Sequence, residues 1–553
     1  MKIGLEIHFQ LDVDKKLFCN CRTSLKEKNP IKIVTRKLHP VESELMEVDI
    51  ATKYEFLRDR IFVYEVFDEE SCEVETDEEP PHPINKEALE IALQIAKLFN
   101  CFIPRELHVM RKIVTDGSNV SGFQRTLVVG LNGYFYFKDK KIEIKQVTLE
   151  EDAASLKEIT SDKVVYKLNR LGIPLVEIST SIIENFSPDE IVEIASIIGN
   201  ICFSTKKVKN VLGSIRQDVN ISTEYFKRIE IKGIQELSLI KKVIENEINR
   251  QNILNSILPN ETIEKNIYLH ENYFAVRLNN FSNLFKNDVF KNELLTSIES
   301  FGYKSSDLKI EFDKNDCILL GKDKKLLEFL IDRINMLIKR ESEVRASDEN
   351  GNTRFLRPLP TAARMYPETD IPVIYISDEM KNEILKSLPE TFLEKEKKFL
   401  SFGMSKDIVE QIIKSKYLDL FEEIIEKFKN LNKNVVANFF VSVLKDLKRR
   451  ENLNVDVLSR EYFIELFDSL DKGLIVKEAL PEIVKYSITK KKSVTEAINE
   501  LNLRKMSFDE VRSFVEEIIR KTKISDKRKI FSVVMKEARL RCDAEDVKKA
   551  LNF

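Results

Sequence analysis

Tryptophan is absent from this 553-residue chain, and histidine occurs only five times. Glycine (14) and proline (15) are scarce, which excludes collagen-like and low-complexity architectures. No apolar run is long enough to cross a membrane as a helix, and the start, MKIGLEIHFQLDV, lacks the apolar segment and cleavage site of a secretion signal. Seven cysteines, an odd number, do not suggest a disulfide framework, so a reducing, cytoplasmic setting is expected. Neither sign of charge dominates: 89 Lys and Arg against 92 Asp and Glu leave a net charge of -3. A polyanionic partner must therefore meet a local basic surface. There is no Walker A loop, no GxGxxG after a strand, and no GxSxG, HExxH or kinase signature. Lys505-Met506-Ser507 has no companion synthetase motif and reads as a helix entry.

What is there is a globular composition, 43% hydrophobic and 33% charged, with length for several domains. Residues 1–254 mix strand-like runs (KIGLEIHFQL, TLVVGLNGYFYF, KIEIKQVTL, RIEIKGI) with helical patterns such as NKEALEIALQIAKLF. Ser187-Pro188-Asp189-Glu190 opens a helix with a cap, a proline at its first position and acids at its positive end. Residues 255–345 turn Asn- and Lys-rich and read as a separate module. Residues 346–377 return to the first domain, and helical patterns follow over 378–470 and 471–553. The expected fold is thus a multidomain α/β plus α chain with an inserted α+β module.

Three sets of residues carry chemistry. Strand alternation in Gly4-Leu5-Glu6-Ile7-His8 puts Glu6 and His8 on one face and Leu5 and Ile7 on the other. Glu150-Glu151-Asp152 closes another strand, and Glu177 stands alone inside PLVEI, where an unpaired acid is costly. Oxygen ligands with an imidazole suit Mg²⁺ or Mn²⁺; a structural ion pair to an arginine is the alternative. Cys19-Asn20-Cys21 with Cys72 could hold zinc, given a fourth ligand, for which His39 and His82 are candidates in sequence only. The third set is polar and basic, in turn-like contexts: Lys112 with Ser118 and Gln124, then Arg216 after Gly213-Ser214, then Lys232 before Gly233. Backbone N–H groups and cations there can meet phosphate.

Read in order, GLEIHFQLD, KLFCNC, DEEPPHPIN, MRKIVTDGSNVSGFQRT, LEEDAA, LNRLGIPLVEIST, GSIRQDVNIS, EIKGIQEL and ARMYPETDIP resemble the GatB/GatE family of tRNA-dependent amidotransferase subunits, and within it the archaeal E type. The resemblance implies a cradle-shaped catalytic domain, an insertion like one in bacterial aspartyl-tRNA synthetases, a helical domain and a tRNA-gripping tail. It implies ATP- and Mg²⁺-dependent phosphorylation of the glutamyl side chain on tRNA(Gln), then amidation by ammonia from an asparaginase-like glutaminase partner, the D-type protein of the complex. It also implies a heterotetramer with two copies of each protein and no membrane partner. By motif, Glu6, His8, Glu151 and Glu177 become the catalytic set. His8 and Glu177 are the metal ligands, with Glu151, or Glu150 in its place, as strand phase decides. Lys112, Ser118, Gln124, Arg216 and Lys232 become binding positions for ATP and substrate. The chain departs from the pattern where Val147 replaces a family cysteine, which bears on any four-cysteine zinc site. It also departs at Thr361, where glycine is usual, and in an insertion without the usual His-Ser-Asp-Glu block. Two alternatives are a bacterial B-type protein with an amidase partner, acting on Glu-tRNA(Gln) or Asp-tRNA(Asn), and a non-catalytic tRNA-binding protein.

Overall fold

The structure is a computed structural model that describes residues 1–25, 29–43, 45–160, 162–361 and 364–552. It falls into two units, 1–389 and 390–553. The sequence placed the start of the helical half at 378. Helix Asp378–Lys386 instead belongs to the first unit, where it packs on helix Lys86–Leu98.

The first unit is built on one long mixed sheet. Its strands run in the order Thr353–Pro358, Glu343–Ser347, Ile229–Ile234, Ile215–Ser222, Lys2–Gln10, Pro174–Thr180, Lys140–Glu151, Phe123–Phe137, Met110–Ile113 and Met365–Pro367. Neighbours on this path are antiparallel except Ile229–Ile234 beside Glu343–Ser347. The alternation seen in the sequence becomes two unlike faces. Ile3, Leu5, Ile7, Phe9, Val147, Leu149, Val176, Ile178, Val219 and Ile231 are buried in one core with the apolar faces of helices Lys86–Leu98, Pro188–Phe203 and Leu237–Ile257. Burying such side chains is the main favourable term in the fold.

The helices start where their caps dictate. Ser187 and Glu190 form a reciprocal capping box around Pro188, and Asn85 accepts from the Ala88 N–H at 3.1 Å. Helix Lys86–Leu98 lies so close to the sheet that a Cβ on Gly130 would stand 2.7 Å from Ala96 Cβ and 2.8 Å from Cys101 Cβ. Only glycine permits that approach.

Residues 255–345 carry a separate four-stranded sheet (Tyr268–His270, Tyr273–Leu278, Asp316–Gly321, Leu308–Asp313). Helices Asp288–Phe301 and Lys324–Ile338 close a distinct core with it. A third sheet is formed by Lys32–Arg36, Ile61–Val66, Lys163–Lys167 and Ser155–Ile159. Thr361 adopts no left-handed backbone; its N–H and Oγ1 donate to Asp49 Oδ1 at 2.7 and 3.1 Å, while Ala362 and Ala363 lie outside the described residues.

The second unit is helical throughout its described residues. One core runs from Phe399 to Leu503 and so crosses the break placed at 470 in the sequence; a second gathers residues 511–551. Ser507 is the N-cap of helix Phe508–Thr522, with Glu510 completing the box, so Lys505-Met506-Ser507 is indeed a helix entry.

Candidate functional site

The polar face of the long sheet is assembled by register. His8 pairs with Glu177 on one side and Arg216 on the other, Glu6 with Ser179 and Asp218, Leu175 with Glu150, and Glu150 with Thr126. Directly opposed residues share a face. Glu150, Glu177, His8, Glu6, Asp218 and Arg216 therefore project together, with Lys112 and Gln124 joining across the next pair.

At the centre, His8 Nε2 lies 3.2 Å from Glu177 Oε2 and 4.0 Å from Glu150 Oε1. One ligand atom from each of these residues lies within 4.8 Å of the others. Lys112 Nζ meets Glu150 Oε2 at 2.8 Å, and Ser179 Oγ donates to Glu177 Oε1 at 2.7 Å. Burial opposes charge on both His8 and Glu177. Their mutual hydrogen bond and attraction nevertheless raise the imidazole above its ordinary value and hold the carboxyl well below the usual carboxylate range. His8 Nδ1 is buried and has no hydrogen-bond partner among the described residues.

A second acidic group, Glu6, Asp218 and Glu230, adjoins the first. Lys232 Nζ bridges Asp218 Oδ2 at 2.8 Å and Glu230 Oε1 at 2.7 Å, and Asn220 Nδ2 donates to Glu6 Oε1 at 3.0 Å. Burial, then repulsion from Glu177 and Glu230, pushes Glu6 up to about 7. Arg216 Nη2 meets Asp152 Oδ1 at 2.6 Å, and Gln10 donates to Asp152 Oδ2 at 2.6 Å.

Most of the residues singled out in the sequence thus converge, with two exceptions. Glu151 pairs with Pro174 and turns to the reverse face. There it accepts from the Arg125 N–H at 3.1 Å and lies 3.4 Å from the Arg125 guanidinium, which also meets Glu368 at 2.8 Å. Glu150, not Glu151, is the carboxylate of the cluster; adjacent strand residues must face opposite ways. Ser118 stays in its loop, its N–H and Oγ donating to Asp116 Oδ1 rather than to the acids of the cluster. Gln124 is on the polar face but donates to the Glu151 carbonyl at 2.6 Å.

The segment around Arg216, read as turn-like, is a strand, Ile215–Ser222, and Lys232 lies in strand Ile229–Ile234, within the strand-like run RIEIKGI. Asp218 and Asn220 were missed for that reason, whereas Glu230 was passed over within a run read as a strand. The signal was present as Ile215, Val219 and Ile221 alternating, broken only by Gln217, with Arg216, Asp218 and Asn220.

Cys19, Cys21 and Cys72 come together with Glu75, one ligand atom of each within 4.8 Å of the others. Cys19 Sγ lies 2.9 Å from Glu75 Oε1 and Cys21 Sγ 3.8 Å from Glu75 Oε2. Hydrogen bonds from Cys19 and Cys21 push the Cys72 thiol far below its ordinary value. The fully buried Lys16 ammonium stands 3.4 Å from Glu75. His82 is turned to Glu79 and His39 packs beside Phe56, so neither joins the three cysteines; Glu75 does.

The chain matches two family models: the GatB/GatE catalytic domain over residues 1–382 and the GatB domain over 419–552. It is 38% identical to a protein of Methanocaldococcus jannaschii, over 94% of this chain and 91% of that one. It is 35% identical to one of Caldivirga maquilingensis, covering 100% and 97%, and 36% identical to one of Pyrobaculum calidifontis, covering 100% and 98%. Each of the three is named as the E subunit of glutamyl-tRNA(Gln) amidotransferase.

Proposed function

The chain belongs to the GatB/GatE family, and we propose that it is the component of a tRNA-dependent amidotransferase that converts Glu-tRNA(Gln) to Gln-tRNA(Gln). The observation that carries this reading is the meeting of His8, Glu150 and Glu177 on one polar sheet face, ringed by Lys112, Arg216 and Lys232. The sheet with its polar face is the cradle of the catalytic domain.

A side-chain carboxylate is a poor acyl donor. Its oxygen attacks the γ-phosphorus of ATP, ADP leaves, and the acyl phosphate now carries a leaving group. Ammonia attacks the acyl carbon, phosphate departs, and the nitrogen sheds its extra proton. No protein nucleophile is required, so positioning and charge compensation do the work. The donor set fits Mg²⁺: carboxylate oxygens and an imidazole in one cluster, with Glu6, which has no ion pair among the described residues, beside it. His8, Glu150 and Glu177 would hold the ion, which supplies charge neutralisation at the transferred phosphoryl group. Lys112 and Ser179 orient the two carboxylates. Arg216, held by Asp152, and Lys232, held by Asp218 and Glu230, present fixed positive charge to phosphate oxygens.

Cys19, Cys21, Cys72 and Glu75 fit a structural zinc ion. The helical unit binds the tRNA body, and ammonia comes from an asparaginase-like glutaminase in a complex with two copies of each protein. Similarity to E-type proteins over the full length favours this assembly over that of a bacterial B-type protein with an amidase partner.

The test is a coupled assay of the chain with its glutaminase, ATP, Mg²⁺ and glutamate-charged tRNA(Gln). Formation of Gln-tRNA(Gln), with ATP hydrolysis stimulated by the charged tRNA, is the expected result. Binding of the tRNA without either reaction would reduce the chain to an RNA-binding protein.

A further inference from the structure

The inserted residues 255–345 return to the long sheet through strand Glu343–Ser347, which lies parallel to the Lys232 strand, with Val344 opposite Glu230 and Ala346 opposite Lys232. Glu343 and Arg345 stand opposite Ile229 and Ile231 and so face the reverse side. There they meet Glu293 of helix Asp288–Phe301, Arg333 of helix Lys324–Ile338, and Glu247 and Arg250 of helix Leu237–Ile257. Three carboxylates and three guanidiniums are buried together, Arg345 and Glu247 at 0% exposure and Arg333 at 1%.

The bonding is dense. Arg345 meets Glu293 Oε1 at 2.5 Å and Glu343 Oε1 at 2.6 Å. Arg333 reaches Glu293 Oε2 at 2.8 Å, pairs with Glu343 and donates to Ser297 Oγ at 3.1 Å. Arg250 holds Glu247 at 2.7 Å, and Thr353 Oγ1 both donates to Glu247 at 3.0 Å and accepts from Arg345 at 2.8 Å. Arg333 also lies over the Phe355 ring, 4.0 Å from its centroid.

Attachment alone does not call for this. Well-packed apolar side chains would join a module to a sheet at least as stably as buried ion pairs do. What a densely bonded lattice of planar guanidiniums supplies is a single geometry, because each shift breaks several charge-assisted bonds in a low-dielectric interior. Its members span helices Asp288–Phe301 and Lys324–Ile338 and the strand beside Lys232.

We propose that Arg333, Arg345, Glu293 and Glu343 form a positioning device, which ties the seating of the inserted module to the placement of Lys232 and Glu230 in the site. The proposal rests on the amidotransferase reading above. Arg333 and its partners act through the strand pair; they do not touch substrate.

The experiment is a double-mutant cycle on the full chain with its glutaminase. Arg333→Lys keeps the charge and loses the fork and the ring stacking. Thr353→Val keeps the shape and removes two lattice bonds at the periphery. Each is measured alone and with Lys232→Arg, which keeps the site's charge and displaces it. We expect Arg333→Lys to lower kcat about tenfold and Thr353→Val about threefold in the native background, and both to change kcat less than about twofold once Lys232 is displaced. Thermal melting of Thr353→Val checks that the fold persists and keeps the test open should Arg333→Lys not fold. Losses that multiply in full in the Lys232→Arg background, or no loss in either background, overturn the proposal. Failure of the amidotransferase reading would show separately, as no Gln-tRNA(Gln) from the unsubstituted chain.

Discussion

Two buried sets of charge lie on opposite faces of the same sheet, and they are built on opposite principles. Behind it, Glu247, Glu293 and Glu343 are matched one for one by Arg250, Arg333 and Arg345. In front, Glu6, Glu150, Glu177, Asp218 and Glu230 crowd together and share their cations: Lys112 meets Glu150, His8 meets Glu177, Lys232 bridges Asp218 and Glu230 with Arg228 3.8 Å from Glu230, and Glu6 has no ion pair among the described residues. A balanced set satisfies itself and serves as structure. In the unbalanced one, burial, then repulsion from Glu177 and Glu230, pushes Glu6 up to about 7, the kind of shift that accompanies functional sites.

The largest effect that would sharpen this contrast is on catalysis. Glu177→Gln keeps shape and removes one charge from the front cluster, and should lower kcat for Gln-tRNA(Gln) formation by about 10²-fold or more. Activity near the native level in that variant would remove the front cluster from the mechanism.

Next comes the pair of neighbours that face apart. Glu150→Gln should weaken Mg²⁺ binding and lower kcat. Glu151→Gln should leave most of kcat but cost about 2–3 kcal/mol of stability, because Arg125 loses a buried partner. Reversed phenotypes would mean that the strand has the other phase.

The third effect is pH-dependent. Without the ion, the raised imidazole of His8 contributes stability that is fully present below its ordinary value and is lost as pH rises through the folded one. Glu177, held low, contributes above its ordinary value and loses that contribution as pH falls through its depressed one. Mg²⁺ needs the neutral imidazole, so its affinity should rise with pH through the His8 titration by up to about tenfold per unit. Calorimetric titration of Mg²⁺ between neutral and mildly acidic pH measures this. A flat profile would take His8 out of the ligand set.

The smallest effect is local and touches neither cluster. Ser187→Ala opens the capping box with Glu190 and should cost about 1 kcal/mol in denaturant unfolding of the first unit.

How far the site could be read in the sequence follows from how local each signal is. Glu6 and His8 share a face because they are two residues apart in one strand, and that holds whatever the strand pairs with. The lone Glu177 among Val and Ile announced a partner for the same reason. The pair Glu150-Glu151 was undecidable, since phase depends on whether Leu175 or Pro174 comes to lie opposite Glu150. Asp218 was passed over because Gly213-Ser214 beside its segment made a strand resemble a turn. Glu75 gave no sign, since its place beside Cys19 and Cys21 comes from the chain returning more than fifty residues later.

The amino-acid order alone determined the alternation within each strand, the helix caps, the excess of acids among apolar neighbours and the family to which the motifs point. Those are short-range properties, carried by backbone geometry and transfer free energy. Which carboxylate enters the site, which side chain completes the cysteine cluster and which arginines lock the inserted module were decided only in three dimensions, because pairing register and module docking are set by contacts between residues far apart in the chain.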